Sequence, residues 1–137
     1  MSAVIKPAAG VRDVLNFIDG EYRAAASGKT FENRSPTDNR LVGRVSEAGE
    51  PEVDAAVRAA RAALHGPWGE MDMAKRGELL GAVADEINRR FDEFLEAEVA
   101  DTGKPVSLAS HIDIPRGAAN FKIFADLVKN VPTESFQ

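Results

Sequence analysis

No cysteine occurs among the 137 residues. The chain itself therefore carries no disulfide framework, thiolate zinc site, iron–sulfur cluster or cysteine nucleophile. Histidine is nearly as scarce. His65 and His111 are the only two, and neither stands in an H-x-x-x-H or H-E-x-x-H spacing that would put two ligands on one helical face. Basic charge is also short: 17 Lys and Arg against 22 Asp and Glu give a net charge of −5. That is the wrong sign for neutralising phosphates over an extended surface, so no nucleic-acid partner is expected. No run approaches the ~18 apolar residues of a membrane span. Residues 1–10 hold one cation, Lys6, and lack the apolar core of a secretory signal. The expectation is a cytoplasmic protein without a membrane partner. What is present, 44% apolar and 28% charged residues, is the balance of a chain that folds around a core. The length fits one domain, or a piece of one.

Residues 1–14 read as a flexible N-terminal arm, and residues 15–137 as the folded part. Leu15-Asn16-Phe17-Ile18, the Asp19-Gly20 turn and Glu21-Tyr22-Arg23 read as a hairpin. Thr30-Phe31-Glu32-Asn33 is a further extended segment. Ser35-Pro36-Thr37-Asp38-Asn39 has turn chemistry, and Leu41-Val42-Gly43-Arg44-Val45 is another strand. These strands are too few and too weakly alternating for an independent sheet, so pairing with something outside the chain is expected. About four helices follow. The first opens at Gly49-Glu50-Pro51-Glu52, where proline and acids suit a first turn. It carries Val53, Ala56, Val57, Ala60, Ala63 and Leu64 on one side and stops at Gly66-Pro67. The second spans residues 72–90 with a stripe of Leu79, Leu80, Val83, Ala84 and Ile87. Its Gly77 and Gly81 predict close packing. The third runs from Asp92 to Thr102-Gly103. The fourth is expected to be capped by Asp113, with Pro115 in its first turn and Ala119, Phe121, Phe124, Ala125 and Val128 following. Trp68 reads as a packing anchor.

The catalytic inventory is thin. There is no G-x-G-x-x-G, no G-x-x-x-x-G-K-[ST] and no G-x-S-x-G. The acids Asp92, Glu93, Glu96, Glu98 and Asp101 read as a solvated helix face, except that Asp101 lies near a helix C-terminus, where the dipole disfavours an anion. Arg116 has two readings. Its neighbours Ile114, Pro115, Gly117, Ala118 and Ala119 are small or apolar, as they would be if a guanidinium were held against an apolar wall to pair with a carboxylate. Alternatively it extends to solvent or pairs with a local acid.

Taken in order, these segments form a recognisable string. Phe17-Ile18-Asp19-Gly20-Glu21, Phe31-Glu32-Asn33 with Pro36, Val42-Gly43, Val53-Asp54-Ala55-Ala56-Val57, Ala59-Ala60-Arg61-Ala62-Ala63, Trp68, Arg76, Leu79-Leu80 and Asp101-Thr102-Gly103-Lys104-Pro105 resemble the N-terminal part of the aldehyde dehydrogenase superfamily. The stretch from Ala109 to Phe121 resembles its 2-aminomuconate and 2-hydroxymuconate semialdehyde dehydrogenase branch. The resemblance implies an α/β fold, namely the beginning of a Rossmann-like NAD-binding domain with short strands followed by about four helices. It implies NAD-dependent oxidation of an aldehyde to an acid through a cysteine thiohemiacetal, an oxyanion hole and a glutamate-assisted hydrolysis.

None of those catalytic or cofactor groups falls within this chain. It is expected to be roughly a quarter to a third of such an enzyme and inactive alone. Within it, the resemblance places Arg116 on a helix lining the substrate access tunnel, where a cation suits a semialdehyde bearing a remote carboxylate. Asn120 and Phe124 continue the same helical stripe. Asp101 matches a position that serves an alkali-cation site in some relatives. A homo-oligomer, dimer or tetramer, is implied for the complete enzyme, and self-association is expected of the isolated chain. The competing expectation is a naturally short, non-catalytic helical interaction module derived from the same family.

Overall fold

The computed structural model describes residues 11–131. Of the expected arm, residues 1–10 lie outside the described residues. Residues 12–14 depart from that expectation, because they are a strand. The described residues form two compact units, one of residues 11–70 with 100–103 and one of residues 71–99 with 104–131.

The first unit holds five short strands: β1 (Arg12–Val14), β2 (Asn16–Ile18), β3 (Glu21–Arg23), β4 (Thr30–Arg34) and β5 (Leu41–Ser46). They pair among themselves into one sheet of three strands and one of two. β5 is the middle strand of three, parallel to β1 and antiparallel to β4, with an irregularity at Asn33/Arg34. Gly43 makes the parallel pairing possible: a Cβ there would sit 2.9 Å from the Arg12 carbonyl oxygen. β2 and β3 form the expected hairpin, with Phe17 opposite Tyr22 and ring centroids 4.9 Å apart. Its Asp19 and Gly20 have φ of 55° and 80°, the two successive positive angles whose twist matches a two-residue hairpin.

Helix α1 (Glu50–Ala63) follows, with Pro51 in its first turn. Glu52 ties this helix to the chain after the hairpin. Its Oε1 accepts from the Ala26 amide at 2.8 Å and its Oε2 from the Gly49 amide at 2.8 Å, while Ser46 Oγ accepts from the Ala25 amide at 2.7 Å. Glu52, Ser46 and Ala25 are all buried, so backbone donors that would otherwise be orphaned are satisfied by side-chain oxygens. The apolar side of α1 is open in the isolated chain: Val53, Val57 and Leu64 are exposed. Pro67 begins a short helix α2 (Pro67–Glu70). Trp68 on it is exposed, which corrects the packing-anchor expectation.

The second unit is helical. α3 (Met73–Arg89) is capped by Asp72, whose carboxylate accepts from the Lys75 amide at 2.7 Å. α4 (Phe91–Thr102) ends at Gly103, φ 70°, the left-handed cap expected. Its last residues belong to the first unit. α5 (Val106–Leu108) leads through a π-helical turn, Ala109–Asp113, into α6 (Ile114–Val128). Among the described residues, four helices have twelve residues or more, as expected.

The expected fresh start at Asp113 is not observed. Asp113 is itself helical, at φ −70° and ψ −51°, and caps nothing. α3 packs against α6 through small residues: Gly77, Ala84, Ala118 and Ala125 are buried, and a Cβ on Gly77 would meet the Ala125 carbonyl oxygen at 2.9 Å. Gly81 has nothing within 4 Å of its would-be Cβ, so of the two glycines only Gly77 serves close approach. Among the described residues, no helix is long and apolar enough to cross a membrane.

Candidate functional site

Ile114, Ala118 and Ala125 are the buried residues of α6. At 100° per residue, Arg116, Asn120, Ile123 and Leu127 lie within about 40° of the direction opposite to them, and Phe124 stands on the flank next to Asn120. All five are exposed, with Phe124 at 62%. The three residues expected to contact substrate therefore do share one face, and two further apolar side chains, Ile123 and Leu127, stand on it with them. The result is a guanidinium at the N-terminal end of an uncovered apolar strip.

The Arg116 side chain is 68% exposed, and its Nη2 lies 3.4 Å from Asp113 Oδ1. This is the second of the two arrangements expected of Arg116, a pairing with a local acid, at a length that makes it weak. Asp113 is the more enclosed partner, with 15% of its side chain exposed, and its stronger contact is elsewhere: Lys104 Nζ donates to Asp113 Oδ2 at 2.8 Å. Lys104 also reaches Glu98 Oε1 at 3.4 Å. The hydrogen bond to Asp113 is the main cause that raises the Lys104 pKa above its usual value. Sequence reasoning missed this part of the site. The i,i+3 spacing of Asp113 and Arg116 was a readable signal, but Lys104 arrives from nine residues upstream, across a turn.

His111 lies in the π-helical turn. Its Nδ1 is 2.8 Å from the Ser107 carbonyl oxygen and 3.0 Å from Ser110 Oγ. A carbonyl only accepts, so Nδ1 carries the proton in this contact. The imidazole is thus oriented to hold its own turn rather than to deprotonate the neighbouring hydroxyl.

Asp101 is not assembled with other metal-ligating side chains. Its Oδ1 accepts from Asn33 Nδ2 at 2.6 Å, and the Arg34 guanidinium is engaged by Glu32 and by the Asn39 carbonyl oxygen. Among the described residues no group of three or more His, Cys, Asp or Glu converges. The amide occupies one of the two carboxylate oxygens of Asp101. The hydrogen bond accounts for an acid near a helix C-terminus by giving it a local donor.

At the N-termini of α1 and α3 an amide is taken by the chain's own carboxylate: Glu52 accepts from the Gly49 amide and Asp72 from the Lys75 amide. Open hollows of about 340 and 360 Å³ lie between the hairpin and α1. Their walls are mostly small residues such as Ala55, Ala59 and Ala60, with Asp19, Arg23 and Arg58 at the edge. None of the expected site residues lines them.

Residues 22–137 match the aldehyde dehydrogenase family. The chain is 62% identical over 127 residues to a 2-hydroxymuconic semialdehyde dehydrogenase from Pseudomonas sp. (strain CF600), covering 93% of this chain and 26% of that enzyme. It is 48% identical over 125 residues to a 2-aminomuconic 6-semialdehyde dehydrogenase from Pseudomonas sp., covering 91% and 25% respectively. Its fold superposes on the NAD⁺ complex of an aldehyde dehydrogenase from Bacillus cereus with a TM-score of 0.86 at 36% identity, over 91% of this chain and 26% of that one. The chain thus spans about a quarter of the length of these relatives. With the match running through nearly all of its strands and helices, the chain belongs to the aldehyde dehydrogenase family.

Proposed function

We propose that this chain supplies the substrate-carboxylate contact of an NAD-dependent aldehyde dehydrogenase that oxidises a muconic-semialdehyde type substrate to the acid in the cytoplasm. The observation that carries this reading is the outward face of α6, where Arg116 stands in line with Asn120, Phe124 and two exposed aliphatic side chains. A muconic semialdehyde is a flat conjugated chain with a carboxylate at one end and an aldehyde at the other. Its carboxylate would pair with the guanidinium, Asn120 would donate or accept at the polar flank, and Phe124 would cover the conjugated chain. The names of the relatives from Pseudomonas support the same substrate class.

The overall reaction consumes an aldehyde, water and NAD⁺ and yields a carboxylate, NADH and two protons. NAD⁺, when bound, supplies the hydride acceptor. The residues of this chain bind and orient substrate only. Without a cysteine the chain holds no thiol to attack the aldehyde, so catalysis requires the remainder of such an enzyme. A homo-oligomer, dimer or tetramer, is part of the same proposal.

The test is Arg116→Ala in the enzyme containing this chain. KM for 2-hydroxymuconic semialdehyde is expected to rise about 10- to 100-fold, equivalent to roughly 1.5–3 kcal/mol for a lost charge-assisted contact. An uncharged aldehyde should lose far less. Equal losses on both substrates would reject the carboxylate role and assign Arg116 to folding.

A further inference from the structure

The cluster of Lys104, Glu98, Asp113 and Arg116 raises a question about competition. A substrate carboxylate can occupy the Arg116 fork only if the neighbouring Asp113 carboxylate has not already captured it. Asp113 is a much more enclosed anion than Arg116 is a cation, at 15% against 68% side-chain exposure. An enclosed carboxylate with one nearby guanidinium would pull it into a short, bidentate pair. That is not the arrangement found. The short contact, 2.8 Å, goes to Lys104, and Arg116 is left with a 3.4 Å contact to the other oxygen.

We infer that Lys104 is a positioning residue for substrate: by neutralising Asp113 it keeps Arg116 aimed along the outer face of α6 but uncommitted. The inference rests on the reading of Arg116 as the cation that meets the substrate carboxylate. The backbone supports it independently. Lys104 is placed between Gly103, φ 70°, and Pro105, φ −56°, two residues that fix the chain direction on either side. The π-helical turn then returns the chain so that Asp113 faces Lys104 across nine residues. A lysine suits this task better than an arginine would, because its compact ammonium occupies one carboxylate oxygen without blocking the other.

The experiment is steady-state kinetics in the enzyme containing this chain, with 2-hydroxymuconic semialdehyde and with benzaldehyde as the uncharged comparison. Lys104→Met is expected to raise KM for the semialdehyde about three- to fivefold, the range of one partly exposed ion pair, with little change in kcat or in KM for benzaldehyde. Adding Asp113→Asn to Lys104→Met removes the competing anion and should bring KM back to within about twofold of the parent. Lys104→Arg should fall between parent and Lys104→Met.

If Lys104→Met leaves the semialdehyde KM unchanged while Arg116→Ala is selective, the positioning role is wrong and the Arg116 reading stands. If Arg116→Ala is itself unselective, both fail. A Lys104→Met loss that is equal on both substrates and is not rescued by Asp113→Asn makes Lys104 a folding residue and overturns the inference.

Discussion

Two glycines four residues apart in α3 should respond to the same substitution with opposite sign. Replacing a helical glycine by alanine stabilises the helix by about 1 kcal/mol, because less backbone entropy is lost on folding. At Gly81 nothing lies within 4 Å of the new Cβ, so the full gain of about 1 kcal/mol is expected. At Gly77 the new Cβ would stand 2.9 Å from the Ala125 carbonyl oxygen, 3.1 Å from Lys129 Cε and 3.2 Å from Val128 Cγ1. The lysine carbon can swing aside, but the carbonyl belongs to the backbone of α6, and relieving that contact means moving one helix off the other. Overpacking of this kind costs about 1–3 kcal/mol. The net effect of Gly77→Ala is therefore a loss of about 1 kcal/mol, and the two variants should differ by about 2 kcal/mol. In urea, with a slope near 2 kcal/mol/M, that is a separation of about 1 M between midpoints. Far-UV circular dichroism of the two variants and the parent measures it. If Gly77→Ala raises the midpoint as much as Gly81→Ala does, α3 and α6 are not in backbone contact, and the account of the second unit is wrong.

Two further outcomes follow from particular contacts. The Glu52 carboxyl is held below its ordinary 4.5 first by the Ala26 amide and then by the Gly49 amide. A depressed folded-state pKa means that this stabilisation is complete above pH 4.5 and is lost as pH falls through the lower folded value. Glu52→Gln should therefore lower the melting temperature at neutral pH and flatten its decline in acid, and parallel pH profiles for the two proteins would reject the assignment. Phe17, Tyr22, Val53, Leu64, Ile123 and Phe124 are exposed in the chain as it stands. Light scattering on a dilution series of the isolated chain should show concentration-dependent self-association, and a monodisperse monomer at about 100 μM would contradict it.

The hairpin was readable in the sequence because its signal is local. Asp19-Gly20 demands positive φ twice, and both angles are found. The stop at Gly103 is local in the same way. Two features were misread. β1 was hidden because Arg12-Asp13-Val14 has no alternation of its own and is a strand only through its parallel pairing with residues 43–45 of β5. Asp113 looked like a cap because an aspartate before a proline-bearing helix satisfies the local rule, yet a π-helical turn carries the helix through it. The burial of Glu52 in α1 was not readable either, because it rests on hydrogen bonds that no hydrophobic pattern encodes.

The same distinction explains what could be read of the site. Arg116, Asn120 and Phe124 share a face because they are spaced by four, and helical geometry alone delivers that. What sets the availability of Arg116 is a charge balance, and charge balance is settled by whichever residues the fold brings within about 3 Å. Asp113 has two cations to choose from, one on its own helix at 3.4 Å and one from the preceding turn at 2.8 Å. The energetic difference between these contacts is small by the standard of folding. It is nevertheless the difference between an arginine closed on its own aspartate and one open to an incoming carboxylate. The buried apolar residues, such as Ala84, Ala109, Ala118 and Ala125, are mainly small, while Ile123, Phe124 and Leu127 of α6 are exposed. In this helix the packing surface is therefore made for backbone proximity, and the bulky side chains lie where a substrate or the remainder of an enzyme would cover them.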